Sequence, residues 1–360
     1  LGAVAWRYAV AGVVGKPSPS AATTATPAVL AGVDGEVDGD VRPVLLARGE
    51  APWSRVVLLP FGQTDERPRA VVKVPRRPQH NPATQREHQS LSSVRDRLPP
   101  DLAVTVPMAL GLRTWSGLSV STESFLAGRP LAFAGAPVTG RLSSAAQLDG
   151  AVDWLIDLHR ATRSTDLVAG DAAASEIVDN PLRRVGQLLG LQGQWAETLI
   201  ERFGIARAGT CSVPTVWQHC DLTPRNMRWD GRHHAVVDWE VARVGPALCD
   251  LLYLLLHWSW QGLPSFGDDH AAVFRRVYLS ADGDPAAQAG FQVRRYCSAF
   301  TMDRRLVAPL LLSMLTQQAL DRAHRVQDCG GAPAGDDNVY ADLIDQMATG
   351  SDRLAAWSRS

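Results

Sequence analysis

The sequence predicts an α+β protein of two lobes, a small β-rich lobe followed by a larger helical one. Three observations predict it. The chain has 360 residues, more than one typical core organises, which fits about two domains. Short runs rich in β-branched and apolar residues, punctuated by Gly, Pro and Asp, fill residues 41–126. From about 127 onward apolar residues recur at helical spacing, interrupted by one strand-rich island at 213–241.

The elements follow in order. Residues 1–40 open on Leu rather than Met, as a fragment or a non-standard start would, and 16–40 are rich in Pro, Ala, Ser, Thr and Gly. They read as a leader or linker, a segment possessing too little apolar pattern to build a core. The lobe at 41–126 holds the strand-like runs VRPVLLARG, SRVVLLPF, RAVVKV, LAVTVPMALGL and GLSVSTESFL. One helix interrupts them. Asn81-Pro82 supplies an N-cap and a first-turn proline, and Glu87, Leu91, Val94 and Leu98 then share a face. In the lobe at 127–360, Leu148, Val152, Leu155 and His159 share a helix face, and further helical runs begin at DLLYLLLHW, DHAAVF, AAQAGF, RRLVAPLLL and VYADLI.

Composition limits the function classes. Hydrophobic residues make up 46% and the formal net charge is -1, without the basic excess of a nucleic-acid binder. The five cysteines form no CxxC, so reduced thiols and a cytoplasmic location are expected rather than a disulfide framework or a cysteine zinc site. No apolar run is long enough for a transmembrane helix.

The chemistry concentrates in VWQHCDLTPRNMRWDGRHHAVVDWE, within the island. Asp230-Gly231 between two strand-like runs predicts a two-residue hairpin with Trp229 facing Arg232 and Asn226 facing Ala235. Asp221, Asn226 and Asp238 would then meet at one end of it. Phosphoryl transfer requires a few hard oxygen ligands for Mg²⁺, and Asn226 and Asp238 suit that need. It also requires a carboxylate beside the attacking hydroxyl, and Asp221 on the preceding loop suits that one.

HCDLTPRN and VVDWE resemble the aminoglycoside phosphotransferase family, a branch of the protein-kinase-like fold that includes choline-kinase relatives. The resemblance extends over roughly 41–330. It implies a two-lobed kinase fold with ATP or GTP in the cleft and a small-molecule hydroxyl as acceptor. It also assigns roles: Asp221 as catalytic base, His219 holding the catalytic loop, Asn226 and Asp238 as Mg²⁺ ligands, Glu240 as an auxiliary metal-shell carboxylate and Asp250 as a loop brace. Lys73 would contact the nucleotide phosphates and pair with Glu87, and backbone near Glu123 and Phe125, in the hinge that ends at Gly128, would hold the base. Cys220 stands where the family usually has Gly, and Thr223 where it often has His. No GxGxxG is present, which argues against a protein kinase more than against a small-molecule kinase.

Plainer readings compete. His219, His233 and His234 with Asp221 and Asp238 could suggest a transition-metal cluster, but on a strand His233 and His234 face opposite ways. GVVGKP near the start is too short for a phosphate loop and lacks its hydroxyl. A nucleotide-binding pseudokinase would usually have lost one of Lys73, Asp221, Asn226 or Asp238. A resistance enzyme acting on an aminoglycoside or other antibiotic and a metabolic or polysaccharide-pathway kinase acting on a sugar or amino alcohol look alike at this level.

Overall fold

The computed structural model describes residues 41–47, 54–131, 144–169, 171–191, 193–261, 268–280, 283–328 and 338–349. The leader expected over 1–40 lies outside them. The chain divides into two compact units, Leu1–Arg129 with Arg228–Val241, and Pro130–Met227 with Ala242–Ser360.

The first unit is built on one antiparallel sheet. Strands β1 (Val41–Ala47), β2 (Arg55–Gly62), β3 (Ala70–Pro75), β4 (Ala109–Trp115) and β5 (Leu118–Ser124) lie in the order β1-β2-β3-β5-β4. Period-two alternation buries Leu58, Ala70, Val72, Val74 and Val120 in a common core with Val41. Each large side chain there stabilises the unit by about 1.5–3 kcal/mol. The alternate residues face the other way. Val57 pairs with Lys73, Lys73 with Ser121, and Val71 with Glu123. Because Arg55 lies two residues before Val57, Arg55, Lys73 and Glu123 share one face.

Helix α1 (Asn81–Arg95) buries Glu87, Leu91 and Val94 as the spacing predicts, while Leu98 lies beyond its end. The cap differs from expectation. His80 is the N-cap residue and Asn81 is already helical. Asn81 instead donates from Nδ2 to the Gly117 carbonyl at 2.9 Å and accepts the Ser119 N–H at 2.8 Å. Both ends of its amide are thus used to tie the helix to the β4–β5 turn. The run LAVTVPMALGL is also only partly a strand. Pro99 and Pro100 start a one-turn helix, α2 (Pro100–Ala103), and β4 begins at Ala109.

The second unit is mainly helical. It contains α3 (Ser144–Ala161), α4 (Ala172–Leu188), α5 (Gly193–Phe203), α6 (Cys249–Ser259), α7 (Asp268–Phe274), α8 (Gly283–Phe300), α9 (Val307–Asp328) and α10 (Val339–Thr349). Leu148, Val152, Leu155 and His159 are all buried along α3. Helices α4 and α5 were not foreseen in the sequence. Asn180-Pro181 reads as a breaker, yet Pro181 lies inside α4. Among the described residues no helix is long and apolar enough to cross a membrane. Cys211, Cys220, Cys249 and Cys297 are free and buried.

The island's strands fall in both units. In the second, β8 (Ser212–Gln218) pairs antiparallel with β7 (Asp166–Val168) and β11 (Arg243–Pro246). The strands β9 (Met227–Trp229) and β10 (His234–Val236), in one sheet with β6 (Arg129–Pro130), are neighbours joined by a four-residue loop, not a two-residue turn. Asp230 N–H donates to the His233 carbonyl, and Asp230 Oδ1 accepts the N–H groups of Arg232 and His233 at 2.7 Å each. Gly231, at φ 103°, and Arg232 become the central pair. Trp229 therefore meets His234, with ring centroids 4.6 Å apart, rather than Arg232.

Candidate active site

In the first unit, six charged side chains from five segments form one ion cluster. Lys73 Nζ on β3 lies 2.6 Å from Glu87 Oε1 on α1, 2.9 Å from Glu123 Oε1 on β5 and 3.7 Å from Asp238 Oδ1. Arg55, at the start of β2, is equally engaged. Its guanidinium contacts Glu87 Oε2, and its Nη2 lies 2.6 Å from Asp238 Oδ1 and 2.9 Å from Glu240 Oε2. Asp238 sits at φ 72°, a left-handed backbone seldom adopted outside glycine.

Burial and pairing oppose each other at every member. Burial alone would lower the Lys73 ammonium, but Glu123, Glu87 and Asp238 together hold it above its usual value. The same contest, won by Glu87, Glu240 and Asp238, keeps Arg55 charged. Glu87 has two cations beside it, and despite burial Arg55 and Lys73 hold its carboxyl below the usual range. Glu123 shares only Lys73, so burial prevails and pushes it up to about 7.

In the second unit, the loop after β8 carries the motif residues. Asp250, in the first turn of α6, accepts the backbone N–H of His219 at 2.6 Å and of Cys220 at 2.9 Å, and lies 3.3 Å from His159 Nε2. Burial would raise its carboxyl, but His159 and the His219 contacts hold it below the usual range. His219 is fully buried, and its Nδ1 accepts the Asp221 N–H at 3.2 Å. Cys220 has φ 62°, which explains physically why Gly is favoured at this position. Asn226 Nδ2 donates to both the Asp221 carbonyl and Oδ2, each at 2.9 Å. The Tyr253 hydroxyl donates to the remaining oxygen, Oδ1, at 3.1 Å. Tyr340 stands 3.1 Å behind Tyr253, and His257 Nε2 is 3.3 Å from the Tyr340 hydroxyl.

The structure thus joins Lys73 with Glu87, Glu123, Asp238 and Glu240, and separately joins Asp221 with His219, Asn226 and, through His219, Asp250. Phe125 follows β5 and is half-buried. Gly128, which ends the expected hinge, has φ 121°, and a Cβ there would lie 2.9 Å from the Trp229 carbonyl carbon. His234 is buried while the His233 side chain is 58% exposed, as opposite strand faces require.

The donor chemistry suits a hard divalent cation. In the cluster two cations face four carboxylates, and the Asp238 and Glu240 side chains remain 40% and 24% exposed while Glu87 is 1% exposed. Among the described residues no three His, Cys, Asp or Glu side chains are grouped to hold an ion by themselves. A pair of carboxylates, Asp238 and Glu240, leaves most of a shell to water and phosphate, the habit of Mg²⁺.

Three participants were not read from the sequence. Arg55 opens an apolar strand run, where an isolated charge looks like a solvated edge. Its signal was parity, since it lies on the Lys73 face once β2 and β3 pair. Tyr253 follows Asp250 by three residues and so faces the same side of α6. Tyr340 carries no local pattern at all.

The sequence model of the phosphotransferase enzyme family matches residues 61–289. This chain belongs to that family. The match takes in every motif residue of this phosphotransferase from Lys73 to Asp250, whereas Arg55 lies before it. No curated protein matches it in sequence. Among solved structures it resembles a candidate aminoglycoside phosphotransferase of Ralstonia eutropha JMP134, with TM-score 0.51, 15% identity, and 90% of this chain and 95% of that one covered. It also resembles an ethanolamine kinase of Plasmodium vivax, with TM-score 0.50, 12% identity and coverages of 89% and 85%. A third, an amicoumacin kinase in complex with AMP-PNP, Ca²⁺ and Ami, has TM-score 0.50, 9% identity and coverages of 85% and 88%. At these identities the likeness is one of fold. The phosphotransferase has an α+β, protein-kinase-like fold, with a β-rich N-terminal unit and a helical C-terminal one, and it is a kinase-type enzyme.

Proposed function

We propose that this phosphotransferase moves the γ-phosphate of ATP or GTP to a hydroxyl of a small molecule such as an aminoglycoside, another antibiotic, a sugar or an amino alcohol. The observation that carries the reading is the Lys73–Glu87 pair at 2.6 Å with Asp238 3.7 Å from the same ammonium. A lysine held charged beside a carboxylate of the metal type is the arrangement phosphoryl transfer demands. The complex of a fold relative with AMP-PNP and Ca²⁺ supports a nucleotide and a divalent cation as co-reactants.

Each residue then has a role. Lys73 neutralises phosphate charge, and Glu87 fixes the lysine. Backbone near Glu123 and Phe125 receives the base. Mg²⁺, held by Asp238 and Asn226 with help from Glu240, would supply charge neutralisation at the phosphate oxygens. Asp221 orients the acceptor hydroxyl and takes its proton on a carboxylate oxygen. Asn226 and Tyr253 fix that carboxylate from its two ends, and His219 and Asp250 hold the loop that bears it.

The deciding experiment incubates the full chain with γ-labelled ATP or GTP and a panel of hydroxylated antibiotics, sugars and amino alcohols, with Mg²⁺ or with EDTA. Transfer to at least one panel member, lost in EDTA, is expected. Transfer only to Ser or Thr of proteins would refute the acceptor class. Nucleotide binding with no transfer to any acceptor would return the reading as a pseudokinase with a regulatory or scaffold role.

A further inference from the structure

Arg55 has no part in the roles just assigned, yet it meets as many carboxylates as Lys73 does. Its side chain is 9% exposed and touches Glu87, Asp238 and Glu240. Two of those three carboxylates are the ones proposed to hold the divalent cation. A guanidinium and a divalent cation cannot both neutralise Asp238 Oδ1 at 2.6 Å.

We propose that Arg55 is a built-in counter-ion for Asp238 and Glu240 that a divalent cation must displace, and that it moves onto the phosphate oxygens of the nucleotide when metal and nucleotide enter together. The inference rests on the metal reading above and adds a residue and an order of binding to it. Three physical points carry it. First, Arg55 does not lose its charge at any ordinary pH, so it leaves the carboxylates only by exchange for another cation. Second, a buried arginine released from two carboxylates is strongly unfavourable unless it meets another anion. Phosphate oxygens match its planar fork. Third, Arg55 and Lys73 share one face of the sheet through the β2–β3 register, so both cations face the same ligand. With no glycine-rich cover in the sequence, Arg55 supplies from β2 a contact that backbone amides would otherwise make. Metal without nucleotide is therefore held weakly, because only the phosphates give Arg55 a new partner.

The test measures binding of Mn²⁺, as a spin-active divalent probe, to the full chain without nucleotide by paramagnetic resonance. It also measures binding of AMP-PNP with Mg²⁺ by calorimetry. Arg55→Gln removes the competitor while keeping hydrogen-bonding reach toward Glu87. It should tighten Mn²⁺ binding without nucleotide on the order of tenfold and weaken Mg²⁺–AMP-PNP on the order of tenfold, with adenosine binding unchanged. Arg55→Lys keeps the charge, but one ammonium does not span three carboxylates. It should fall between, and it decides the matter if the glutamine variant fails to fold. Mn²⁺ affinity equal to wild type in both variants overturns the inference. Asp238→Asn separates that outcome from failure of the underlying reading. If it leaves Mn²⁺ binding intact in wild-type and Arg55→Gln backgrounds alike, the metal assignment itself is wrong and the Arg55 inference falls with it.

Discussion

Asn226 donates from one amide nitrogen to both the backbone carbonyl and Oδ2 of Asp221. This double contact closes the loop between the two residues and fixes the carboxylate, whose other oxygen is met by Tyr253. A carboxylate held at both ends presents its lone pairs in one direction only, which is what a base acting on a bound hydroxyl requires.

Asp221→Asn keeps this shape but loses the charge that draws a proton. We expect kcat to fall about 10²–10⁴-fold, with nucleotide affinity nearly unchanged. Steady-state kinetics on the acceptor found by screening, with calorimetry for nucleotide, check both halves. A variant retaining near-full kcat removes Asp221 from the mechanism.

Glu87 neutralises Lys73 and Arg55 together and is 1% exposed. Glu87→Ala leaves two buried cations short of a partner and should lower stability by about 3–5 kcal/mol. Lys73→Ala should instead weaken nucleotide use strongly with a smaller loss of stability, since Arg55 still pairs with Glu87. Urea unfolding and nucleotide titration on the two variants measure the split. Equal stability losses would mean that Arg55 does not share Glu87.

Glu123, pushed up to about 7 by burial against the pull of Lys73, gives stability a pH slope. Unfolded, its carboxyl titrates near ~4.3. Between that value and about 7 the folded chain keeps a proton that the unfolded chain has lost, so its contribution to stability falls as pH rises through this window. Glu123→Gln removes the penalty. It should raise stability at pH 8 and leave it nearly unchanged at pH 4. Thermal unfolding at the two pH values tests this, and a loss at pH 8 would count against it.

Gly128 at φ 121° lies against the backbone of Trp229 and Asp230, which cannot yield as a flexible side chain would. Gly128→Ala combines a disfavoured backbone with a Cβ clash and should destabilise by about 1–3 kcal/mol. Gly190→Ala, also at positive φ but with nothing within 4 Å of an added Cβ, is the control for backbone conformation alone. Equal unfolding midpoints for the two would show that the Trp229 contact is immaterial.

The sequence by itself determined the residues whose roles are written in short spacings. His219, Asp221 and Asn226 lie within eight consecutive residues, HCDLTPRN, with Asp238 and Glu240 in VVDWE close behind. Local backbone geometry is enough to group each set. Lys73 and Glu87 were also legible, because one falls in a strand-like run and the other on a helix face, and the family resemblance asks for such a pair. Only the tertiary structure decided the rest. Arg55 reaches Asp238 across 183 positions of sequence, and Tyr340 reaches Tyr253 across 87. No periodicity reports such a distance, because these meetings depend on the pairing of whole strands and helices. The Asp230 loop was lost for a smaller reason. A dipeptide preference was outweighed by a carboxylate that accepts two backbone N–H groups, shifting the pairing so that Trp229 meets His234. In Asn81 likewise, a capping preference yielded to two partners on a hairpin. Local chemistry proposes such contacts, and packing chooses among them according to which donors and acceptors the rest of the chain brings within reach.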